Sequence, residues 1–445
     1  MSKKGSMSTS AIAITIIALI VGVAIGLGAY PALFQQGQTV LSESDYNSLL
    51  SDRSELQALK ASQLSGEIEL GFLGSMTGDL ASFGENELAA AEFAAEEVNT
   101  YLEDAGANWT VKIVVEDTAT DPAICLEKVQ SLNARGVTLC IGPLSSGEIR
   151  SIKSYVDSNK ILIISQSSTA IDLALPDDYV FRFTPTDLGQ GPAIARLIWD
   201  DNNTHVIPVI RNDAWGAGLE DAVEDRFVEL GGTFLDGIAY TPGATEFSSE
   251  AADLDAKVAS AVTTYGAANV AVLFIAFEEA EAFFTAVSSY QSVQAVDWYG
   301  SDGTALAGRL VDNAAVADLC ESVNFLNTIF APTHSPKWEA VRQNNLAEVG
   351  REPDSYSYAV YDVVWAYAMS ILAVGDTDPA KIKDALPAVT ESLFGASGWI
   401  QLDANGDRKS SDYDIWNIQE TTTPNVYEWT HVGMWNTATD TITWD

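Results

Sequence analysis

The sequence predicts an α/β protein of two doubly wound parallel-sheet lobes, preceded by one transmembrane helix and a short stalk. Three observations carry this. Short apolar runs alternate with helical apolar patterns in units of roughly 30 residues, as βαβ repeats do. The alternation occurs twice, in consecutive sets of similar size. Ahead of both stands a run of 19 residues, Ala11 to Ala29, with one hydroxyl at Thr15 and no charge. A chain of 445 residues with 47% apolar content can fill two cores.

The N-terminal run comes first. At about 1.5 Å per residue it spans roughly 29 Å, close to a hydrocarbon core of about 30 Å. Lys3 and Lys4 precede it and acidic sequence follows. The positive-inside rule then puts residues 1–10 in the cytoplasm, the anchor at 11–34 and the body outside, as a single-pass surface protein. A cleaved secretory signal is the other reading. Its apolar core is shorter and ends at a small-residue site, which Gly28-Ala29-Tyr30-Pro31 matches poorly. Residues 35–66 place Leu41, Tyr46, Leu49, Leu56, Leu59 and Leu64 near helical spacing among polar residues, which reads as a stalk.

The body follows. Ile68 to Leu73, Trp109 to Val115, Val137 to Ile141 and Ile161 to Ser165 read as strands. Between them Glu87–Leu102, Pro122–Ala134 and Ile149–Ser158 carry helical apolar spacing. The second set has strands at Val206–Ile210, Val270–Phe274 and Trp298–Gly300, with helices at Gly218–Leu230, Glu250–Tyr265 and Glu279–Ser289. Ligands of such sheets bind beyond the carboxyl ends of the strands, so two facing lobes make a cleft between two rows of strand ends.

Charge excludes some partners. The chain has 62 acidic and 23 basic residues, a net charge of −39, and the first 66 residues balance, so the excess lies in the body. A nucleic-acid binder needs Lys and Arg to displace counterions from phosphates, so no nucleic acid is expected. Such a surface stays soluble at high ionic strength and suggests a saline setting. Cys125, Cys140 and Cys320, with histidines at 205, 334 and 431, offer no zinc spacing. Cys125 falls in the first turn of a helix and Cys140 near the end of the next strand, at one edge of the sheet. They are either a disulfide or two small buried apolar residues.

Two hydroxyl clusters look like an anion site. Ser145-Ser146-Gly147 follows one strand and precedes a helix, and Ser167-Ser168-Thr169 follows the next strand. A carboxylate wants several hydroxyl or amide donors at a helix N-terminus; the same residues also serve as helix caps. Asp302, in Gly300-Ser301-Asp302-Gly303 after a strand of the second set, is either a turn residue or the anion an ammonium requires. Trp215 sits in a polar loop, Asn212-Asp213-Ala214-Trp215-Gly216.

A family resemblance joins these pieces. Gly71-x-x-Gly74-Ser75-Met76-Thr77-Gly78 with Phe83-Gly84, Ile141-Gly142-Pro143-Leu144-Ser145-Ser146, Ile164-Ser165-Gln166-Ser167-Ser168-Thr169, Phe181-Arg182, Gly189-Gln190-Gly191-Pro192 and Trp215-Gly216-x-Gly218 follow in order. In order and spacing, residues 67–445 resemble the type I periplasmic binding proteins of the Leu/Ile/Val-binding kind. The resemblance implies two lobes joined by three hinge crossings, near Pro185, Asn324–Asn327 and Gly395–Gly398. Lobe I would be 67–184 with 326–395, and lobe II 185–325 with 396–445. It implies the extracellular capturing component of an ABC uptake system, with an ABC permease as partner and a branched-chain or other amino acid, or a related amide or urea compound, as ligand. Ser146, Ser167 and Thr169 would hold the carboxylate, the latter two also touching the ammonium, and Asp302 would pair with the ammonium. Phe83, Trp215, Phe277 and Tyr356 align with pocket-lining aromatics and Leu144 with an apolar floor. Phe at 83 and 277 removes hydroxyls and favours an apolar ligand side chain. At the other end, Lys3-Lys4-Gly5-Ser6 is similar to the prepilin-like signals of some archaeal surface binding proteins, which implies cleavage after Gly5 with the helix retained.

Two rival functions remain from the residues. A sensory ectodomain would bind the same ligand and signal through a membrane partner. A hydrolase lacks its elements: no G-x-S-x-G elbow occurs, and Gly142 to Gly147 has the wrong spacing. No enzymatic activity, cofactor or metal is expected. Asp403, Asn405 and Asp407 read as a hairpin turn, since a calcium loop would need a distal Glu.

Overall fold

Apolar runs buried on both faces form parallel strands, and those strands build two sheets. The computed structural model describes residues 64–445. The anchor at 11–34, most of the stalk and the cleavage site after Gly5 lie outside the described residues. In the first sheet the chain runs β1 (Ser65–Gly74), α1 (Ala81–Asp104), β2 (Asn108–Asp117), α2 (Pro122–Ala134), β3 (Leu139–Ile141), α3 (Ser146–Asn159), β4 (Leu162–Ser165) and β5 (Val180–Arg182). The strand order is β2-β1-β3-β4-β5, all parallel. The chain order turns back at β1, and that point is where an open α/β sheet holds its ligand.

The second set runs α4 (Asp187–Asp200), β6 (His205–Arg211), α5 (Ala214–Leu230), β7 (Thr233–Phe234), β8 (Ile238–Tyr240), α6 (Ser248–Tyr265), β9 (Val270–Ile275), α7 (Ala280–Val287), β10 (Asp297–Tyr299), α8 (Gly308–Asp312) and α9 (Ala314–Ser322). Its sheet is ordered β10-β9-β6-β7, with β8 also on β6. Every residue of β9 is buried, as the continuous run Val270 to Ile275 requires.

After β11 (Asn327–Phe330) the chain returns to the first sheet with α10 (Pro336–Glu348), α11 (Ser355–Val374) and α12 (Pro379–Thr390). By composition α11 is long and apolar enough to cross a membrane, but 78% of its apolar window is buried inside the protein. It packs along α1, whose Ala90, Ala91, Ala94 and Ala95 are buried. Its Tyr367 hydroxyl donates to the Cys140 carbonyl of β3 at 2.8 Å. The chain ends in β12 (Tyr413–Glu420), β13 (Tyr427–Asn436) and β14 (Thr441–Trp444). With β11 these make a third, antiparallel sheet, β11-β12-β13-β14, that packs on α9. This sheet departs from the expectation of two parallel sheets alone. Its strands intersperse buried Tyr413, Ile415, Ile418, Trp429 and Trp435 with polar residues, so no continuous apolar run announces it.

The cysteines are buried thiols. Cys125 and Cys140 are fully buried and unbonded, so the disulfide reading is corrected to that of two small apolar residues. Cys140 is spent on packing: a Cβ on Gly71 of the adjacent strand would come within 3.1 Å of its sulfur.

A buried ion pair ties the first sheet to a late segment. Arg182, at the end of β5, donates from Nε and Nη2 to the two oxygens of Asp407 at 2.6 and 2.7 Å, and from Nη1 to the Ala170 carbonyl at 2.7 Å. Neither partner is more than 2% exposed. Asp403 accepts the amides of Asn405 and Asp407, so this segment is the hairpin turn that the sequence suggested. Beside it Arg408 donates to the Ser397 hydroxyl at 2.8 Å, and Ser397 donates to Asp362 of α11. Burial pushes the Asp362 carboxyl up to about 6 against those hydrogen bonds, and lowers Arg408 to about 10.

Removing one partner of such a pair strands a buried charge. Arg182→Met or Asp407→Ala is therefore expected to destabilise the protein by about 3–5 kcal/mol. Urea unfolding of each variant, followed by circular dichroism, checks this; a midpoint unchanged from wild type contradicts it.

Candidate functional site

A cavity lies between the two lobes, lined from the first by Leu80, Phe83, Glu87, Leu144, Ser145, Ser146, Ser167, Thr169 and Tyr356, and from the second by Trp215, Phe277, Asp302 and Gly303. All nine residues singled out in the sequence as ligand-binding meet here. Around it the lobes touch. Ser82 on α1 donates its amide (3.1 Å) and hydroxyl (2.5 Å) to Glu278, which follows β9. Arg309 donates to the Gly78 carbonyl at 2.8 Å, and Arg211 to Asp79 at 2.9 Å.

The hydroxyl end comes from strand-end loops. Ser145 caps α3 and forms a capping box with Glu148. A helix leaves its first amides without an intrahelical partner. The Ser145 hydroxyl takes that of Glu148, and Ser146 stands beside it in the first turn, where the helix dipole favours an anion. The Ser146 hydroxyl accepts the Ala170 amide at 3.2 Å and shares a hydrogen bond with Ser168 at 2.9 Å. Ser167 donates its hydroxyl proton to the Leu144 carbonyl at 3.0 Å, so toward the cavity it offers an acceptor. The Thr169 hydroxyl is buried without a partner.

The opposite end is acidic. Asp302 is 4% exposed; one of its oxygens accepts the Tyr356 hydroxyl at 2.5 Å, and the other has no partner. Burial pushes its carboxyl up to about 6, against the lowering effect of Tyr356 and Gln190. Behind it Asp187, in the first turn of α4, is fully buried with both oxygens unpartnered. Burial first, then Asp302, holds its carboxyl well above the usual range, against Thr169 and Arg182. Among the described residues no Lys or Arg lines the cavity. Two neighbouring buried carboxyls with spare oxygens, neither hydrogen-bonded to a cation of the protein among the described residues, are suited to a cation from outside.

Aromatic rings supply the remaining walls. Trp215 and Phe277 stack with centroids 4.6 Å apart, and Arg211 covers Phe277 at 4.5 Å. Phe83 and Tyr356 face each other at 6.4 Å, and Tyr356 also meets Phe330 at 5.8 Å. Gly303 has no room for a side chain: a Cβ there would lie 2.4 Å from the Ala276 carbonyl and 2.7 Å from Trp215.

Sequence reading missed Asp187 and Glu87. An acidic residue in a first helical turn ordinarily serves the helix dipole, which hid Asp187. Glu87 was hidden by the helix boundary. Starting that helix at Glu87 rather than Ala81 conceals that Glu87 shares the buried face of Phe83, one turn away.

Comparison with known proteins places this geometry among relatives. Residues 86–421 match the family described as "Receptor family ligand binding region". An uncharacterized protein of Methanocaldococcus jannaschii is 34% identical, over 85% of this chain and 91% of its own length. The Leu/Ile/Val-binding protein of Citrobacter freundii is 24% identical, over 80% of this chain and 93% of its own. Among solved structures, a branched-chain amino acid transporter substrate binding protein of Streptococcus pneumoniae, in complex with isoleucine, superposes with a TM-score of 0.65 at 19% identity. That alignment covers 82% of this chain and 99% of the other, and shows the shared fold.

The acidic end has a cost in the empty protein. A carboxyl whose folded-state value is raised above its unfolded one destabilises the fold once it ionises. For Asp302 the penalty is absent below about pH 4 and complete above about 6. Asp302→Asn is therefore expected to raise the stability of the unliganded protein at pH 7.5 by on the order of 1–3 kcal/mol, and to change it little at pH 4. Thermal unfolding at the two pH values reads this; equal shifts at both contradict it.

Proposed function

We propose, for a chain that belongs to the type I periplasmic binding proteins of the Leu/Ile/Val-binding family, that it captures a free amino acid with an apolar side chain outside the membrane and delivers it to an ABC permease. The family is one of binding proteins, not of enzymes. The observation that carries the ligand reading is Asp302, a buried carboxyl with a spare oxygen across the cleft from a helix N-terminus rich in hydroxyls. An α-amino acid presents matching groups: an ammonium for the acid and a carboxylate for the donors.

In this reading the carboxylate meets the first turn of α3 at Ser146 and the hydroxyl of Thr169. The ammonium meets Asp302, with Asp187 adding negative potential from behind, and Ser167 accepts from it. The side chain lies between Trp215–Phe277 and Phe83–Tyr356, on Leu144. Relatives named for leucine, isoleucine and valine support an aliphatic side chain, as do the two Phe rings that bring no hydroxyl. In a wall of such rings a polar ligand group would lack a partner. The sequence at 11–34 fits an anchor that keeps the body at the cell surface.

Calorimetric titration with leucine, isoleucine, valine, phenylalanine, leucinamide and urea tests this. A branched-chain amino acid is expected to bind, and at a hundredfold excess over Kd to stabilise the fold by about 2.7 kcal/mol. Asp302→Ala should weaken binding by about 1.5–3 kcal/mol, roughly 10- to 150-fold, and Ser146→Ala and Thr169→Ala by about 1 kcal/mol each. Unchanged amino-acid affinity in all three variants would defeat the reading.

A further inference from the structure

Glu87 has a place in this cavity that the amino-acid reading does not yet use. It lies one turn beyond Phe83 on α1, lines the cavity and is fully buried. Gln166 donates to its Oε2 at 2.6 Å. Its Oε1 is sealed from solvent and meets no partner. A buried carboxyl with an idle oxygen at a cavity wall is a group waiting for a ligand atom.

The charges around it decide what it offers. Two other buried acids face it: Glu148 from α3 and Asp354, the cap of α11. Asp302 and Tyr356 also line the cavity, and no Lys or Arg lines it among the described residues. Glu148 accepts the amide and hydroxyl of Ser145 at 3.0 and 2.7 Å. Asp354 accepts the amides of Tyr356 and Ser357 and the side-chain amide of Asn86. Burial raises the carboxyls of Glu148 and Asp354 as well, but several hydrogen-bond donors pull each of them back down. Glu87 has one donor, so of the three acids it is the least supported as an anion. Burial, then Asp354 and Glu148, hold its carboxyl well above the usual range despite Gln166.

We propose that Glu87 binds the solute as a neutral carboxylic acid, its hydroxyl donating a hydrogen bond to the carboxylate of the bound amino acid. The inference rests on the amino-acid reading of the cavity and extends it. The carboxylate is the recipient because Glu87 touches Gln166, directly before Ser167, and faces Glu148, which holds the Ser145 cap. Its neighbours are thus the two segments that carry the hydroxyls. A neutral acid donates to an anion, whereas an ionised one repels it. Glu87 therefore lets this end of the cleft accept a carboxylate despite the acids beside it, without any lysine or arginine.

Titration calorimetry of the full chain with L-leucine from pH 5 to pH 9, in two buffers of different ionisation enthalpy, tests this. As Glu87 ionises, wild-type affinity is expected to fall, approaching tenfold per pH unit, with a proton taken up on binding. Glu87→Gln keeps a donor that cannot ionise. Its affinity should stay close to the wild type's at pH 6 and lose the alkaline decline, apart from the titration of leucine's own ammonium. Glu87→Leu should bind at least tenfold more weakly than wild type at pH 6. The proposal is overturned if Glu87→Leu binds as tightly as wild type, if Glu87→Gln binds as weakly as Glu87→Leu at pH 6, or if an alkaline decline of the wild type persists in Glu87→Gln. Failure of the wild type to bind any amino acid overturns the functional reading itself and this proposal with it.

Discussion

Negative charge held out of water without a compensating cation is the constraint around which this protein is arranged. A buried carboxylate ordinarily finds a partner or keeps its proton. At the cleft, Asp302 and behind it Asp187 have oxygens to spare, and among the described residues no lysine or arginine lines the cavity. Elsewhere the chain does satisfy buried acids. Asp407 has both oxygens on Arg182, and Asp362 has the amides of Ala396 and Ser397. The protein therefore has the means to neutralise an acid, and the cleft is where it leaves one open. An unsatisfied buried group in a native protein calls for an explanation, and a cation arriving with the ligand supplies one.

The fold makes that arrangement possible by dividing it. The hydroxyls and helix N-terminus come from the first lobe and Asp302 from the second, so in the proposed reading the carboxylate and the ammonium of an amino acid would be met by separate bodies. Tyr356 already reaches across, donating to Asp302 from α11. Ser82 with Glu278 and Arg309 with Gly78 draw the rims together. Apart from the cleft, the Arg182–Asp407 pair and the Arg408–Ser397–Asp362 chain fasten the 397–408 segment to β5 and α11. Binding energy in such a protein is shared between contacts to the solute and the equilibrium between lobe positions.

The sequence disclosed the parts of this with strong local patterns. Uninterrupted apolar runs such as Val270–Ile275 announced the parallel strands, and glycine and serine at strand ends marked the loops that carry Ser146, Ser167 and Thr169. Asp302 was legible because it follows a strand in a glycine-flanked turn. The antiparallel sheet β11–β14 was not, because its strands mix aromatic and apolar residues with threonine, asparagine and charge. Asp187 and Glu87 escaped because a single acid on a helix has an ordinary explanation. Only three-dimensional neighbours reveal that their oxygens meet nothing. The cysteines illustrate the reverse. Spacing allowed Cys125 and Cys140 a bond, and packing made them two small buried thiols.

The central claim is that an ammonium completes the acidic end at Asp302. With its carboxyl near 6 in the empty cleft, Asp302 is mostly protonated at pH 5, and an arriving ammonium must displace that proton. Measuring the protons exchanged when isoleucine binds at pH 5, by calorimetry in two buffers, tests this most directly. The account predicts net proton release, with an affinity that rises toward pH 7, and loss of that release in Asp302→Asn. Binding at pH 5 with no proton released, or with the same release in Asp302→Asn, would contradict it.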